Sequence, residues 1–397
     1  MLSVAEALAR VTADLAPLPA ENVPVTQACG RVLAANLTAK LTQPPFPASA
    51  MDGYAVRAAD VQSLPATLTV IGEAAAGHPF GGAVGGGEAV RIFTGAPVPA
   101  GADLVVIQEN TAADGANVLV RELSSESFIR PAGGDFREGD VLLLAGRRLL
   151  PRDLLLAAQM NHAALPVRRR PLIAVLASGD ELQPPGSTLA DGQIVSSIPA
   201  ALAPLIWNAG GEPLLLGIAR DTMESLAGCI AGAADADILL TIGGASVGDH
   251  DLVRGALEAA GFSIGFHHVA MRPGKPLMYG ARGRQRVLGV PGNPVSAVLC
   301  SAIFLRPMIA RLLGDDATAA AQKARLTVPL EAGGPRQHYM RARLSHSDTG
   351  EMAVAPLSSQ DSSLVSILAA ADCLIIRPTR APPAHPGDLV DIMRLDF

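Results

Sequence analysis

Residues 172 to 313 alternate short apolar runs with helical patterns, and this constrains the chain more than any other feature. Apolar runs bounded by turn signals read as buried strands, and alternation with helices argues a mostly parallel sheet. The most informative stretch runs from Asp237 to Val298. There the run Ile238 to Ile242 ends in Gly243-Gly244, a short Ser/Gly turn, and then two acids, Asp249 and Asp251. A second run, Val287 to Val290, ends in Pro291-Gly292-Asn293-Pro294 and a helical pattern. Two strand-to-glycine-to-helix turns present backbone N–H groups and helix N-termini at one sheet edge, which suits phosphate. Neighbouring carboxylates suit a hard divalent cation. Between the turns lies Arg272-Pro273-Gly274-Lys275, two cations on a stiff loop suited to an anion. Either turn alone favours a blander reading, an ordinary tight βα connection. The acid pair and the basic loop within one stretch favour a binding edge.

The series is predicted as strand Leu172 to Leu176, helix Ile198 to Ala209, strand Pro213 to Ile218, helix Met223 to Ala233, strand Ile238 to Ile242 and helix Leu252 to Ala260. Strands near Phe262 to Val269, Pro276 to Tyr279 and Val287 to Val290 follow, and helix Val295 to Leu313 closes the unit. In a doubly wound sheet ligands bind beyond the carboxyl ends of the strands. Ser178, Asp180, Glu181, Asp221, Gly243, Ser246, Asp249, Asp251, Gly292 and Asn293 all fall there.

The flanks read differently. Ser3 and Glu6 form a capping-box pattern, so a first helix is expected over about residues 4–14. Cys29 to Leu33 reads as a second helical patch, followed by an extended stretch, Asn36 to Leu41. Helical periodicity returns from Arg148 to Ala164, and this segment is expected to pack on the N-terminal helix. Residues 1–42 and 145–168 thus form a discontinuous linker and dimerisation domain. A Pro-rich stretch from Gln43 leads into residues 43–144, where short β-like runs between Gly-rich breaks give a small β domain. The last of those runs is Val141 to Leu144. Residues 169–315 form the α/β domain, and residues 320–397 a C-terminal β-barrel-like domain. The fold class is multidomain α/β plus β.

Composition removes several alternatives. At 397 residues, 49% hydrophobic and 17% charged, the chain is globular rather than disordered. A net charge of −6 argues against bulk attraction to nucleic acid or an anionic membrane, and 3% aromatics leave no base-stacking platform. No uninterrupted apolar run reaches the length of a membrane span, and the N-terminus lacks a signal-peptide pattern. Cys29, Cys229, Cys300 and Cys373 are far apart, with no Cys-x-x-Cys, as expected of reduced thiols in a cytoplasmic protein. His267-His268 lacks acids at metal-ligand spacing. No GxGxxG follows a strand.

Each candidate has a plain alternative. Ser178 and Asp180 could cap a helix as readily as a ligand. Asp249 could cap the helix from Leu252, which leaves Asp251 spare. For Asp221 the capping alternative is strong, because Glu224 would complete a box. Arg272 and Lys275 could be solvated surface charge, although Val269, Met271, Leu277 and Met278 surround them with apolar chain. Asp52 and Thr94 could be turn formers.

Taken in order, PPFPASAMDGYAV, RIFTGAPVPAGAD, ASGDEL, TIGGASVGDHD, MRPGKP and GVPGNPVSA resemble the motifs of molybdopterin molybdenumtransferases, the group that includes the gephyrin E-domain. The resemblance covers essentially the whole chain. It implies a transferase of molybdenum cofactor biosynthesis that joins molybdate to adenylyl-molybdopterin, with AMP released and Mg²⁺ assisting. It implies a homodimer whose cleft lies between the α/β domain of one subunit and the small β domain of the other. Carried over by motif, Asp52, Thr94, Asp135, Glu181, Asp221, Asp251, Arg272 and Lys275 are catalytic, and Glu181, Asp221 and Asp251 hold the metal. Ser178, Gly243, Gly244, Ser246, Gly248, Pro273, Gly274, Pro291, Gly292, Asn293, Arg341 and Ser362 bind substrate. Further partners implied are the molybdopterin adenylyltransferase and the acceptor molybdoenzymes. The family pattern has Lys where this chain has Arg272, and Asp and Asn near Ser196 and Ile198. Two other readings compete: molybdopterin adenylyltransferase, whose domain resembles residues 170–315 without the flanking β domains, and a non-catalytic gephyrin-like scaffold.

Overall fold

In the computed structural model, residues 1–244, 252–315, 322–346 and 350–396 are described. The α/β unit is built on a six-stranded sheet ordered Glu212–Ala219, Leu172–Ser178, Ile238–Ile242, Gln285–Val290, Pro276–Arg282 and Ser263–His268. The first four strands are parallel, and the last two join as antiparallel neighbours. This is the doubly wound, mostly parallel sheet predicted. Helices Ile198–Ala209 and Pro294–Leu313 pack against Val175, Leu240 and Leu288 on one face. Helices Met223–Gly232 and Leu252–Ala259 pack against Leu176, Leu239 and Val287 on the other. Covering both faces is what turns these strands into unbroken apolar runs. The 20-residue helix Pro294–Leu313 is apolar and long enough to cross a bilayer, but 72% of its most apolar stretch is buried in this core. It is a core helix.

Helix Val4–Ala13 begins with the predicted capping box. The Glu6 N–H donates to Ser3 Oγ at 3.2 Å, and the Ser3 N–H donates to Glu6 Oε2 at 2.8 Å. Its buried stripe, Val4, Ala7 and Val11, joins the α/β core beside Met308 and Leu312. The expected partner was the returning helix, Pro151–Gln159 as observed. That helix instead packs in a separate cluster with Leu33, Leu37, Leu143 and Leu165. The reason lies at the start of the chain, where Leu2 bridges Val269 and its carbonyl accepts the Ala270 N–H at 2.7 Å. That anchor commits the first helix to the α/β unit.

Segments from both sides of the small β domain do come together. Ala20–Pro24 pairs with Ala164–Arg168, and Leu37–Thr38 pairs with Val141–Leu143. The second pairing corrects the expected boundary, because Val141–Leu143 belongs to this linker and not to the small β domain. The helical patch expected at Cys29 to Leu33 is a turn followed by isolated bridges, Val32 to Arg148 and Leu33 to Val167. Val32 and Leu33 are both buried and bridge two separate segments, at Arg148 and Val167.

The small β domain is a six-stranded sheet ordered Leu104–Ile107, Gly53–Val56, Glu88–Ile92, Ala66–Ala74, Asn117–Val120 and Thr111–Asp114. At the C-terminus, Gln337–His346, Met352–Pro356, Gln322–Leu326, Leu389–Arg394 and Cys373–Arg377 close into a barrel, the last strand pairing back onto the first. Met271–Arg272, from the α/β unit, adds to this barrel beside Gln337–His338.

Candidate functional site

The parallel strands end at one level. Ser178 is opposite Ala219, Ala177 opposite Ile242, and Ile242 opposite Val290. The turns leaving these strands enclose a cavity of about 420 Å³. Ser178, Glu181, Asp221, Gly243, Gly244 and Gly292 line it, as six of the predicted positions. Bare backbone makes the approach possible. Gly243 and Gly244 have φ of +88° and +62°, and a Cβ on Gly243 would lie 3.2 Å from the Ser178 carbonyl oxygen. A Cβ on Gly292 would lie 3.6 Å from the Gly243 Cα, so the two glycine turns face each other.

The capping alternatives for Asp180 and Asp221 fail here. No helix starts after Ser178; the chain enters the short strand Leu182–Gln183, paired with Ile194–Val195. Helix Met223–Gly232 is capped by Thr222, whose side chain accepts the Ser225 N–H at 3.2 Å. Asp221 is therefore free of capping duty and exposed to the cavity. Its N–H donates to Asp180 Oδ1 at 3.2 Å, which ties two strand-end turns together. Glu181 folds over its own turn because Gly179 has no side chain; a Cβ there would lie 2.5 Å from a Glu181 carboxylate oxygen.

Ser246, Gly248, Asp249 and Asp251 lie outside the described residues; their flanks, Gly244 and Leu252, line the cavity. Among the described residues no group of three His, Cys, Asp or Glu side chains is close enough to hold a metal. Two exposed carboxylates, Glu181 and Asp221, fit Mg²⁺ held by one or two protein oxygens and completed by substrate phosphates and water.

The basic loop sits at the same sheet edge. Met278 pairs with Gly289, so in the antiparallel register Pro276 comes level with Pro291. Arg272 and Lys275 are exposed beyond that level, and neither lines the cavity. The loop is held on three sides. Val269 bridges Leu2, and Met271 pairs with Gln337. Gly274, at φ +99°, lies so close to helix Pro294–Leu313 that a Cβ would meet the Cys300 Sγ at 2.4 Å. Burial pushes the Cys300 thiol up to about 12, so it is packing and not a nucleophile. Pro273 is half-buried and Pro291 buried within this edge. Asn293 stands at the helix N-cap without capping, and its Oδ1 is enclosed with no partner among the described residues.

The other predicted residues are elsewhere in the same chain. Asp52 Oδ1 accepts the Thr94 N–H and the Thr94 hydroxyl, each at 2.8 Å. The Thr94 backbone bond, then its hydroxyl, then the Arg91 charge hold the Asp52 carboxyl below its ordinary range. Arg91 was not legible as a site residue. It lies over the Tyr54 and Phe93 rings at 5.1 and 4.8 Å and donates to the Gly53 carbonyl and to Gln108. The nearest sequence signal was its place in the RIFTGAP run. Asp135 is in a separate loop, its N–H donating to the Gln43 carbonyl at 3.0 Å. Arg341 is only 1% exposed, and its guanidinium donates to the carbonyls of Asp361 and Ser359. It thereby shapes the loop that carries Ser362, itself half-buried. Two positions off the expected pattern, Ser196 and Ile198, do line the cavity.

Three family regions match the chain. Residues 2–160 match the MoeA N-terminal region (domain I and II), residues 174–311 the probable molybdopterin binding domain, and residues 323–395 the MoeA C-terminal region (domain IV). The chain is 32% identical to the molybdopterin molybdenumtransferase of Haemophilus influenzae, over 99% of this chain and 98% of that one. The chain belongs to the molybdopterin molybdenumtransferase family. The Bacillus subtilis molybdopterin molybdenumtransferase is also 32% identical, over 99% of this chain and 94% of its own. The crystal structure of the molybdopterin biosynthesis MoeA protein from Pyrococcus horikosii superposes with a TM-score of 0.86 at 29% identity, covering both chains fully. These matches run through the linker and both β domains, as a member of the molybdenumtransferase family requires and a lone adenylyltransferase-like domain does not.

Proposed function

We propose that this chain transfers molybdate to adenylyl-molybdopterin with release of AMP. The observation that carries this reading is the strand-end cavity, which joins facing glycine turns to two exposed carboxylates, Glu181 and Asp221, the second freed from helix capping by Thr222. The backbone N–H groups of the turns after Ile242 and Val290 cradle the phosphates of the substrate. Glu181 and Asp221, with Asp251 as the third acid, would hold Mg²⁺, which would supply positive charge beside the substrate phosphates. Arg272 and Lys275 face the oxyanion from the neighbouring part of the edge and offset its charge. Arg341 keeps the loop bearing Ser362 in place.

Asp52, Thr94 and Asp135 complete the cleft from a second copy of the chain, because none of them lines the cavity of its own chain. The working form is then a cytoplasmic homodimer. Its substrate comes from the adenylyltransferase step, and its product passes to acceptor molybdoenzymes. The test is AMP release by purified protein given adenylyl-molybdopterin, Mg²⁺ and molybdate. Molybdate-dependent AMP release supports the reading, and none under these conditions overturns it.

A further inference from the structure

Next to the basic loop is a histidine that the proposed reaction does not use. Arg272 is opposite His338 in the parallel pairing, and His338 is opposite Arg377 in the antiparallel pairing on its other side. Residues directly opposite on adjacent strands project to the same face. Arg272, His338 and Arg377 therefore form a row across three strands at one end of the barrel. Like charges in such a row repel, and a neutral imidazole between two guanidiniums relieves this. His338 is half-buried, and its Nε2 is enclosed with no partner. Burial first, then Arg272, Arg341 and Arg336, push its pKa down to about 4. Among the described residues no carboxylate opposes them at His338. Arg377 is committed to the carbonyls of Pro382 and Glu331, and Arg341 to those of Asp361 and Ser359. Arg272 is the exposed member of the group.

We propose that His338 takes up a proton when a divalent oxyanion settles at Arg272, so that oxyanion binding is coupled to protonation of this imidazole. The inference rests on the reading of Arg272 and Lys275 as oxyanion donors. An anion of charge −2 outweighs the single charge of Arg272, and an opposite charge nearby favours the charged imidazolium. The proton comes from solvent, and no bond of the oxyanion is made or broken. His338 acts through the charge at Arg272 as a positioning residue.

The sign is fixed by the two states. Burial first and then the arginines hold His338 neutral down to about 4 in the free protein, and an oxyanion at Arg272 raises it from there by opposing the Arg272 charge. Affinity then rises as pH falls toward the raised value. Calorimetry of the full-length protein with orthomolybdate alone, at pH 6 in buffers of different ionisation enthalpy, reads the proton directly. The expected result is a net proton uptake on binding, read as an enthalpy that changes with the buffer's ionisation enthalpy. His338→Gln should bind with no uptake and a flat pH dependence, and His338→Asn provides a second variant. Wild-type binding whose enthalpy does not depend on buffer overturns the inference without any variant. So does uptake that persists in His338→Gln. If orthomolybdate fails to bind, or binds equally well to Arg272→Ala, the reading of the basic loop falls and the inference with it.

Discussion

Glu181 reaches the cavity because the residue two before it has no side chain. Gly179 has φ +148°, and a Cβ there would meet the Glu181 carboxylate. Gly179→Ala should cost about 1–3 kcal/mol from backbone strain alone, read as a lower melting temperature, with turnover reduced as well. Asp221 differs, since it is exposed and its capping role belongs to Thr222. Asp221→Asn should leave the melting temperature within experimental error and lower the rate of AMP release by roughly 10²-fold or more, the scale seen when one group stabilising transition-state charge is lost. A rate within a few-fold of wild type would remove Asp221 from the site. At Asp52 the folded pKa is depressed. Its contribution to stability is therefore present above the ordinary carboxylate range and disappears as pH falls through the folded value. Thr94→Val removes the hydroxyl bond and keeps the backbone one. Carboxyl titration followed by NMR should show Asp52 moving up toward its ordinary value; an unchanged titration would mean that the Thr94 hydroxyl plays no part.

At the scale of elements, the strand ends bring together residues more than 100 positions apart in sequence. The strand Ile238–Ile242 does most of this, because it pairs with strands on both sides and carries Gly243 at its tip. Leu240 is fully buried in it. Leu240→Ala should cost about 2–5 kcal/mol, visible in the denaturant midpoint, since a cavity there cannot collapse between two helical layers. The first helix was legible down to its capping box, because Ser3 and Glu6 interact within one turn. Its packing partner was not legible. An amphipathic stripe of Val4, Ala7 and Val11 fits any apolar surface, and the Leu2 bridge to Val269 spans more than 260 residues. The same holds for Val141–Leu143, whose apolar run predicted a strand but not the unit in which it pairs.

On the whole-molecule scale, the cavity and the Asp52–Thr94 pair belong to one chain but do not meet within it. A cleft shared between two copies makes a sharp prediction. Asp52→Ala and Asp221→Ala chains, each inactive alone, should regain about a quarter of wild-type activity when unfolded together and refolded as a random mixture. Half of the dimers are then mixed, and each mixed dimer has one intact cleft. No recovery would place both acids in a cleft formed by one chain.

The sequence by itself determined the alternating α/β series, the glycine turns, the basic loop and the order of motifs that gives the family. All of these depend on neighbours in the chain or on which residue types can make a turn. Tertiary structure alone decided that Asp221 is freed by Thr222, that Arg341 is buried behind the Ser362 loop, and that His338 stands opposite Arg272. Those facts depend on strand register and burial between distant segments. A side chain does not reveal its cross-strand partner until both strands are in place.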